Sequence, residues 1–179
     1  MTREQLIRDF ISGKDVLDVG SVGEDSSHRF WQFLRRHAKS LAGIDLRPSD
    51  QPGVVAGNME SYQFGRTFDV IVAGDVLIQT DNQGLLLDNA ARHLQPDGLL
   101  ILTLPNAKWP TVFLRPSPFQ TGWHDRHTIT RLLGRHGFEV VKLDFYPGNR
   151  DTMKTVRKSI GFRQSMFIVC RTKHGKESV

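Results

Sequence analysis

Polar side chains recur in this chain wherever a short apolar run breaks off. Asp18 stands near the end of the run at 16–19, and the turn Gly20-Ser21-Val22-Gly23 follows it. Asp45 and Leu46 close the run at 41–46, and Asn58 and Met59 come just after Val54 and Val55. Gly74 and Asp75 follow 68–73, and Pro105 and Asn106 follow 99–104. A carboxylate ending a strand, such as Asp45, accepts two hydrogen bonds from a ribose diol. An amide oxygen such as that of Asn58 accepts from an exocyclic purine amine. The Met59 backbone N–H suits a ring nitrogen, and Leu46 suits the face of a base. The glycine turn is not GxGxxG, and no GxxxxGK[ST] occurs, so neither a dinucleotide pyrophosphate nor a triphosphate has its usual cradle. The set points to an adenosine ligand without a polyphosphate.

Those residues can converge only if the apolar runs are neighbouring strands. Thr2 with Gln5 forms a capping box for a helix over the first 13 residues, with Leu6, Ile7, Phe10 and Ile11 on one face and Gly13 at its end. Ser26 or Ser27 is expected to cap a helix whose Phe30, Phe33, Leu34 and Ala38 share a face. Asp81 or Asn82 caps another, carrying Leu87, Ala90, Ala91 and Leu94. Residues 95–98, Gln-Pro-Asp-Gly, read as a turn. Thr128 is expected to cap a helix carrying Ile129, Leu132 and Leu133, which Gly137 ends. Two last strands are expected at 138–145 and 165–171. Strands alternating with helices require crossover connections and a mostly parallel sheet, and runs apolar throughout are buried on both faces. A hairpin between the last two makes the final strand antiparallel. The expectation is an α/β, doubly wound, seven-stranded sheet in one domain over 1–179. Its binding crevice lies at the carboxyl ends of the strands.

Composition narrows the class. The chain has 179 residues and a formal charge of +5. No apolar run is long enough for a membrane span, and the start lacks a signal-peptide core. Cys170 is alone, which excludes an internal disulfide and a thiolate zinc site. These features fit the cytoplasm. From Lys142 onward stand nine Lys or Arg against three acids, a basic end that suits nucleic acid or, more simply, a solvated edge.

VLDVGSVG, GIDL, GNME, FDVIVAGDVL, LQPDGLLILTLPN and LLGRHGFEVV followed by MFIVCRTK, taken in order, resemble the class I S-adenosylmethionine-dependent methyltransferases, in particular their small type-11-like branch. Val22 stands where that family commonly has a second glycine, and Asn58 where it usually has Asp. The resemblance implies a Rossmann-like fold and S-adenosyl-L-methionine as cofactor. Asp18, Gly20, Ser21, Val22 and Gly23 would then line its methionine end, with Asp18 meeting the ammonium directly or through water. Asp45 would bind the ribose, Asn58 and Met59 the adenine, and the backbone of Ala73 and Gly74 would lie near the sulfur.

Methyl transfer needs a base only when the acceptor must lose a proton. Asp75, His124, Asp125 and His127 are the candidates, and His124 leads because a histidine titrates near neutrality. Two histidines three apart beside a carboxylate lack a third fixed ligand, so no metal site is assigned. Residues 107–127 are expected to shape the acceptor pocket as a lid. Trp109, Phe113, Phe119 and Trp123 in it either face an acceptor or pack down over the sheet. Three activities compete. The first is methyl transfer to a small-molecule, glycan or lipid-linked acceptor. The second is transfer to nucleic acid through the basic end, and the third a non-catalytic cofactor-binding subunit.

Overall fold

The computed structural model describes residues 2–23, 28–114, 116–146 and 164–173. Seven strands form one sheet: β1 (Asp15–Val19), β2 (Ser40–Asp45), β3 (Val54–Ala56), β4 (Phe68–Gly74), β5 (Leu94–Pro105), β6 (Phe138–Tyr146) and β7 (Ser165–Thr172). Their order is β3-β2-β1-β4-β5-β7-β6. The first five pair in parallel, and β7 runs antiparallel to both β5 and β6. The winding reverses between β1 and β4, which is where an open sheet of this kind leaves a crevice.

Period-two alternation sorts the strand side chains onto two faces. Val16, Val70, Val72, Ile101, Phe167 and Val169 meet Leu6, Ile7 and Ile11 of α1 (Arg3–Ile11) and Leu34 of α2 (Arg29–His37). Leu17, Val19, Ile71, Ala73, Leu100 and Leu102 meet Leu87 and Ala90 of α3 (Gln83–His93) and Ile129 and Leu133 of α5 (Arg126–Arg135). Each central strand is thus covered on both sides, as its unbroken apolar run requires. Among the described residues no helix is long and apolar enough to cross a membrane.

The capping box of α1 is present in full. The helix over 126–135 starts earlier than its Thr128 suggests. Asp125 is its N-cap, accepting from the N–H groups of His127 and Thr128, and Thr128 is the reciprocal member of the box. Carboxylate and hydroxyl are both capping groups, so sequence alone does not rank them. Residues 95–98 lie inside β5 rather than before it. Phe68 pairs with Leu94 and Val70 with Leu99, so the Gln-Pro-Asp-Gly segment bulges out of the ladder. In α2 the buried ring is Trp31, with Phe30 and Phe33 only half covered. Ser26 and Ser27 lie outside the described residues, and α2 begins after His28, which has a left-handed backbone (φ 47°) and no side-chain cap. A short helix unannounced by the sequence, α4 (Pro110–Leu114), interrupts the 107–127 segment.

Candidate functional site

The strand tips at the β1–β4 reversal form the site. Asp18 follows the even positions of β1 toward the α1 side and is 2% exposed. Burial pushes its carboxyl up to about 7, against the opposing pull of Arg3 and a hydrogen bond from Ser21. The chain then turns sharply. Gly20 has φ +82°, and a Cβ there would overlap a methyl of Val76, so the turn needs glycine twice over. The N–H groups of Gly20 and Ser21 both donate to the Ile44 carbonyl, at 2.8 and 3.3 Å. Val22 has no left-handed backbone, so its side chain leaves the loop unstrained at that residue.

That loop is tied to the end of β2. Asp45 Oδ2 accepts from the Val22 N–H at 2.9 Å. Its Oδ1 accepts from the Arg47 N–H at 3.0 Å and from Arg47 Nε at 3.4 Å. Arg47 also donates to the Gly23 carbonyl, closing a ring of contacts around the loop. The Leu46 side chain stands out into solvent, 74% exposed.

After β3, Asn58 Oδ1 accepts from the Glu60 N–H at 2.9 Å, and its carbonyl accepts from Ser61 and Tyr62. Met59 is buried with its side chain in the core. The turn is held from below by Asn89, a fully buried amide on the apolar face of α3. It donates to the carbonyls of Met59 at 2.8 Å and Tyr62 at 2.9 Å. Asn89 was not among the sequence candidates. Its signal was an amide set between Leu86, Leu87 and Ala90 on a face otherwise apolar.

At the end of β4, Ala73 is buried and Gly74 lies under Arg3, whose Nη1 is 3.1 Å from where a Cβ on Gly74 would stand. Asp75 has a left-handed backbone (φ 60°), and its N–H donates to the Thr103 carbonyl at 2.8 Å. A second set missed from sequence gathers here: Thr103, Tyr146 and Ser165, all nearly buried at the tips of β5, β6 and β7. Burial, and then the Asp75 charge, push the Tyr146 phenol up to about 12, while Thr103, Arg3 and Ser165 act the other way. Thr103 carried a sequence signal, being the one hydroxyl in LLILTLP. Arg3 carried none beyond its place in a helix.

The 107–127 segment is pinned beside these tips. The N–H groups of Thr121 and Gly122 donate to the Ile78 carbonyl at 2.7 and 3.0 Å, and Ala107 N–H donates to His124 O at 2.8 Å. Trp109 packs down, whereas Phe119 and Trp123 are 62% and 44% exposed. The side chain of Phe113 lies outside the description. His124 Nε2 is 3.0 Å from Gln83 Oε1, and Gln83 Nε2 donates to the Leu77 carbonyl at 3.0 Å. Burial lowers the His124 pKa, with Asp125 opposing. Asp125 is occupied as the helix cap and pairs with Lys108 at 3.2 Å, its carboxyl held down at about 2 first by the Thr128 backbone bond. His127 points outward. Among the described residues no three His, Cys, Asp or Glu side chains come together as a metal site. A cleft of about 360 Å³ opens at the opposite edge, by Lys14, Asp69 and Gly98, and none of these groups lines it.

Residues 3–143 match the family model for the methyltransferase domain. The chain belongs to the class I S-adenosylmethionine-dependent methyltransferases. No curated protein matches it in sequence. Solved structures share the methyltransferase fold at low identity. A Haloferax volcanii chain, solved in complex with the Trm112 methyltransferase activator, has a TM-score of 0.71 at 12% identity, covering 98% of this chain and 95% of that one. The N-methyltransferase NodS of Bradyrhizobium japonicum, solved with S-adenosyl-L-homocysteine, gives 0.66 at 18%, covering 94% and 84%. A TehB-like methyltransferase of Corynebacterium glutamicum gives 0.65 at 22%, covering 95% and 86%.

The residues present suit the methyltransferase cofactor, S-adenosylmethionine. The site offers a turn that glycine alone can make, next to a carboxyl that burial pushes up to about 7, and a second carboxylate one strand away. A zwitterionic amino acid joined to a nucleoside needs groups of that kind and in that order.

Proposed function

We propose that this methyltransferase acts as a single domain on a small-molecule, glycan or lipid-linked acceptor, received between the 107–127 segment and the carboxyl ends of β4 and β5. The observation that carries this reading is the pinning of the segment on Ile78 O with Phe119 and Trp123 still exposed. Exposed aromatic faces held on a fixed backbone suit an apolar or sugar-bearing acceptor that stacks.

On this reading Asp18, Gly20, Ser21, Val22 and Gly23 hold the amino-acid end of the cofactor. Asp45 and Leu46 take the ribose and base, Asn58 and Met59 the adenine edge, and Ala73 and Gly74 flank the sulfur. Three hydrogen bonds already end on the Asp45 carboxylate, which has about four acceptor positions, so a ribose diol shares it with Arg47 or displaces that side chain. The bound cofactor supplies a methyl carbon made electrophilic by the sulfonium. The chain's own work is to align the acceptor with it and keep water out, and positioning of this kind contributes roughly 7–11 kcal/mol.

For acceptors that lose a proton we assign the base to His124. Gln83 Nε2–H is engaged by Leu77 O, so Gln83 turns its oxygen to His124, and His124 Nε2 must be the donor. The neutral ring then carries its lone pair on Nδ1, and burial favours the neutral ring. Asp75, strained at the tip of β4, is the second candidate. The nucleic-acid reading draws less support, because Arg171 pairs with Glu139 at 3.1 Å and Lys142 with Asp144 at 3.3 Å. Residues 147–163, which hold much of the basic end, lie outside the description.

The test is turnover of labelled S-adenosylmethionine against a panel of small hydroxyl and amine acceptors, glycans, lipid-linked glycans and transfer RNA. Transfer to a small or glycan acceptor, reduced by Trp123→Ala, supports the reading. Transfer to RNA alone, lost at raised salt, overturns it.

A further inference from the structure

The 107–127 segment leaves the rim of the crevice and comes back to it. The Ala107 N–H donates to the His124 carbonyl at 2.8 Å and Asn106 bridges to His124, so the two feet of the excursion stand side by side. Its inner side packs down through Trp109 and Val112. Its outer side is apolar. Six large apolar side chains are exposed among the described residues, and three of them, Leu114, Phe119 and Trp123, fall in this one excursion. Leu114, at 73%, is more exposed than either ring.

Cations border that face. Lys108 and Arg126, both exposed, stand next to the two feet, and Lys108 Nζ holds the Asp125 cap at 3.2 Å. From there α5 runs on with His127, Arg131 and Arg135 spaced four apart, an exposed ridge on the face opposite the buried Ile129 and Leu133. No acid lies on that helix, and Arg126, Arg131 and Arg135 make no ion pair among the described residues. The charge of the whole chain divides in the same way. Residues 1–106 hold ten Lys or Arg against fourteen Asp or Glu, whereas residues 107–179 hold fourteen against five.

We propose that the outer side of the 107–127 segment and the basic ridge of α5 form a docking face for an anionic lipid bilayer. This rests on the reading of that segment as the frame of the acceptor site, and it narrows the acceptor to one held in a membrane. A bilayer boundary takes aliphatic and aromatic side chains together at headgroup depth, while cations beside them meet the lipid phosphates and carboxylates. Single-stranded RNA asks for something else, namely rings stacked along a basic groove. Here the most exposed apolar group is the aliphatic Leu114, which stacks on no base, and the cations lie beside the rings rather than between them. A second copy of the chain is disfavoured by charge, since two such faces would bring like ridges together.

The test is co-sedimentation of the full chain with vesicles of phosphatidylcholine alone and of phosphatidylcholine and phosphatidylserine in equal parts. Wild type is expected on the second and not on the first, and raised salt should weaken it. The chain carries its own reporter. Of its three tryptophans, Trp31 and Trp109 are buried and Trp123 is exposed, so a blue shift of emission on vesicles reads the surroundings of Trp123. Arg126→Gln combined with Arg131→Gln should weaken vesicle binding about fivefold per charge, and Leu114→Ser roughly tenfold. Neither variant touches the proposed cofactor contacts, so each should bind S-adenosylhomocysteine as wild type does, which also excludes a folding defect. Absence of wild type from the anionic vesicles overturns the proposal, as does vesicle binding that neither variant weakens and that leaves the emission unshifted. Transfer RNA binding lost with the two arginines, while vesicles bind nothing, assigns the ridge to RNA and overturns it too. Transfer to a lipid-linked acceptor in detergent without vesicle binding overturns the docking face and leaves the acceptor reading standing. Vesicle binding with transfer to soluble acceptors alone upholds the face and removes the membrane-held acceptor.

Discussion

At the tips of β1 and β2 the polar groups are sunk and tied to backbone. Asp18 is 2% exposed, and Asp45 accepts from two backbone N–H groups. At the tips of β4 and β5 the reverse holds: a 107–127 segment is fixed by a few hydrogen bonds to Ile78 O and presents Phe119 and Trp123 to solvent. On the proposed assignment, the first region spends buried charge on a ligand of one fixed shape. The second offers a backbone frame with interchangeable aromatic faces. That contrast suits an enzyme family with one cofactor and many acceptors, since a frame of the second kind changes its partner by changing a surface side chain.

The contrast breaks most sharply at Asp45. Asp45→Ala removes the acceptor for the Val22 and Arg47 N–H groups and, on the proposed assignment, the ribose partner. Hydrogen bonds to a charged group contribute about 1.5–3 kcal/mol each. Calorimetry with S-adenosylhomocysteine should therefore show affinity lower by roughly 100-fold, an energy spanned by one or two such bonds. Affinity within a factor of two of wild type would move the cofactor away from β2.

Asp18 sharpens the same region through pH. Its folded value of about 7 lies above the 3.8 of an ordinary aspartate, so from pH 4 to 7 the folded state holds a proton that the unfolded chain has released. Stability from this group is therefore greatest at low pH, falls across that window, and is lost in full above 7. Without ligand, Asp18→Asn should melt higher than wild type at pH 8, the gap closing toward pH 4. Binding an ammonium requires the ionised form, so wild-type affinity for S-adenosylhomocysteine should rise by about tenfold between pH 6 and pH 8. Asp18→Asn should bind weakly and show no such slope. A flat wild-type profile would remove the ammonium from Asp18.

Why the first region could be read from the chain and the second could not follows from their physics. Strands buried on both faces leave unbroken apolar runs, and a polar residue at the end of each run marks the crevice edge, so Asp18, Asp45, Asn58 and Asp75 stood out. The family motifs then supplied the order of roles. Arg3 and Tyr146 reach the site from other elements, by tertiary packing that no local pattern encodes, whereas Asn89 and Thr103 left only the trace of a lone polar residue in an apolar stretch. The start of α5 was misplaced by three residues because Asp125 and Thr128 are both good caps and the difference lies in which one the backbone turns toward. The aromatics of the 107–127 segment were visible as a group, but their division into a buried Trp109 and an exposed Trp123 was not.

Asp125 tests whether the acceptor side is framed by backbone capping. Asp125→Ala removes the cap of α5 and the pairing with Lys108, at a cost of about 1 kcal/mol, or roughly 2–4 °C in melting temperature. Its carboxyl is held down at about 2, below the 3.8 of an ordinary aspartate, so this contribution is complete above pH 4 and lost as pH falls toward 2. A wild-type and Asp125→Ala pair melted at pH 7 and at pH 3 should differ less at the lower pH. An equal difference at both would mean that the charge is irrelevant and only packing is lost.

The smallest effect on stability is expected at Trp123, and it separates the two regions most cleanly. The ring is 44% exposed, so truncation to Ala removes little buried surface and should leave the melting temperature nearly unchanged, within about 0.5 kcal/mol. The backbone pins of the segment, at Thr121, Gly122 and Ala107, do not involve the indole and survive the change. Affinity for S-adenosylhomocysteine should stay at the wild-type value, because its proposed contacts lie at the ends of β1, β2, β3 and β4 and do not include the indole. What remains for the indole to change is the acceptor. KM for a stacking acceptor should rise several-fold with kcat nearly constant, the pattern of binding energy shared equally by ground and transition states. A fall in cofactor affinity instead would show that the two regions are one continuous pocket and that the exposed aromatics serve the nucleoside.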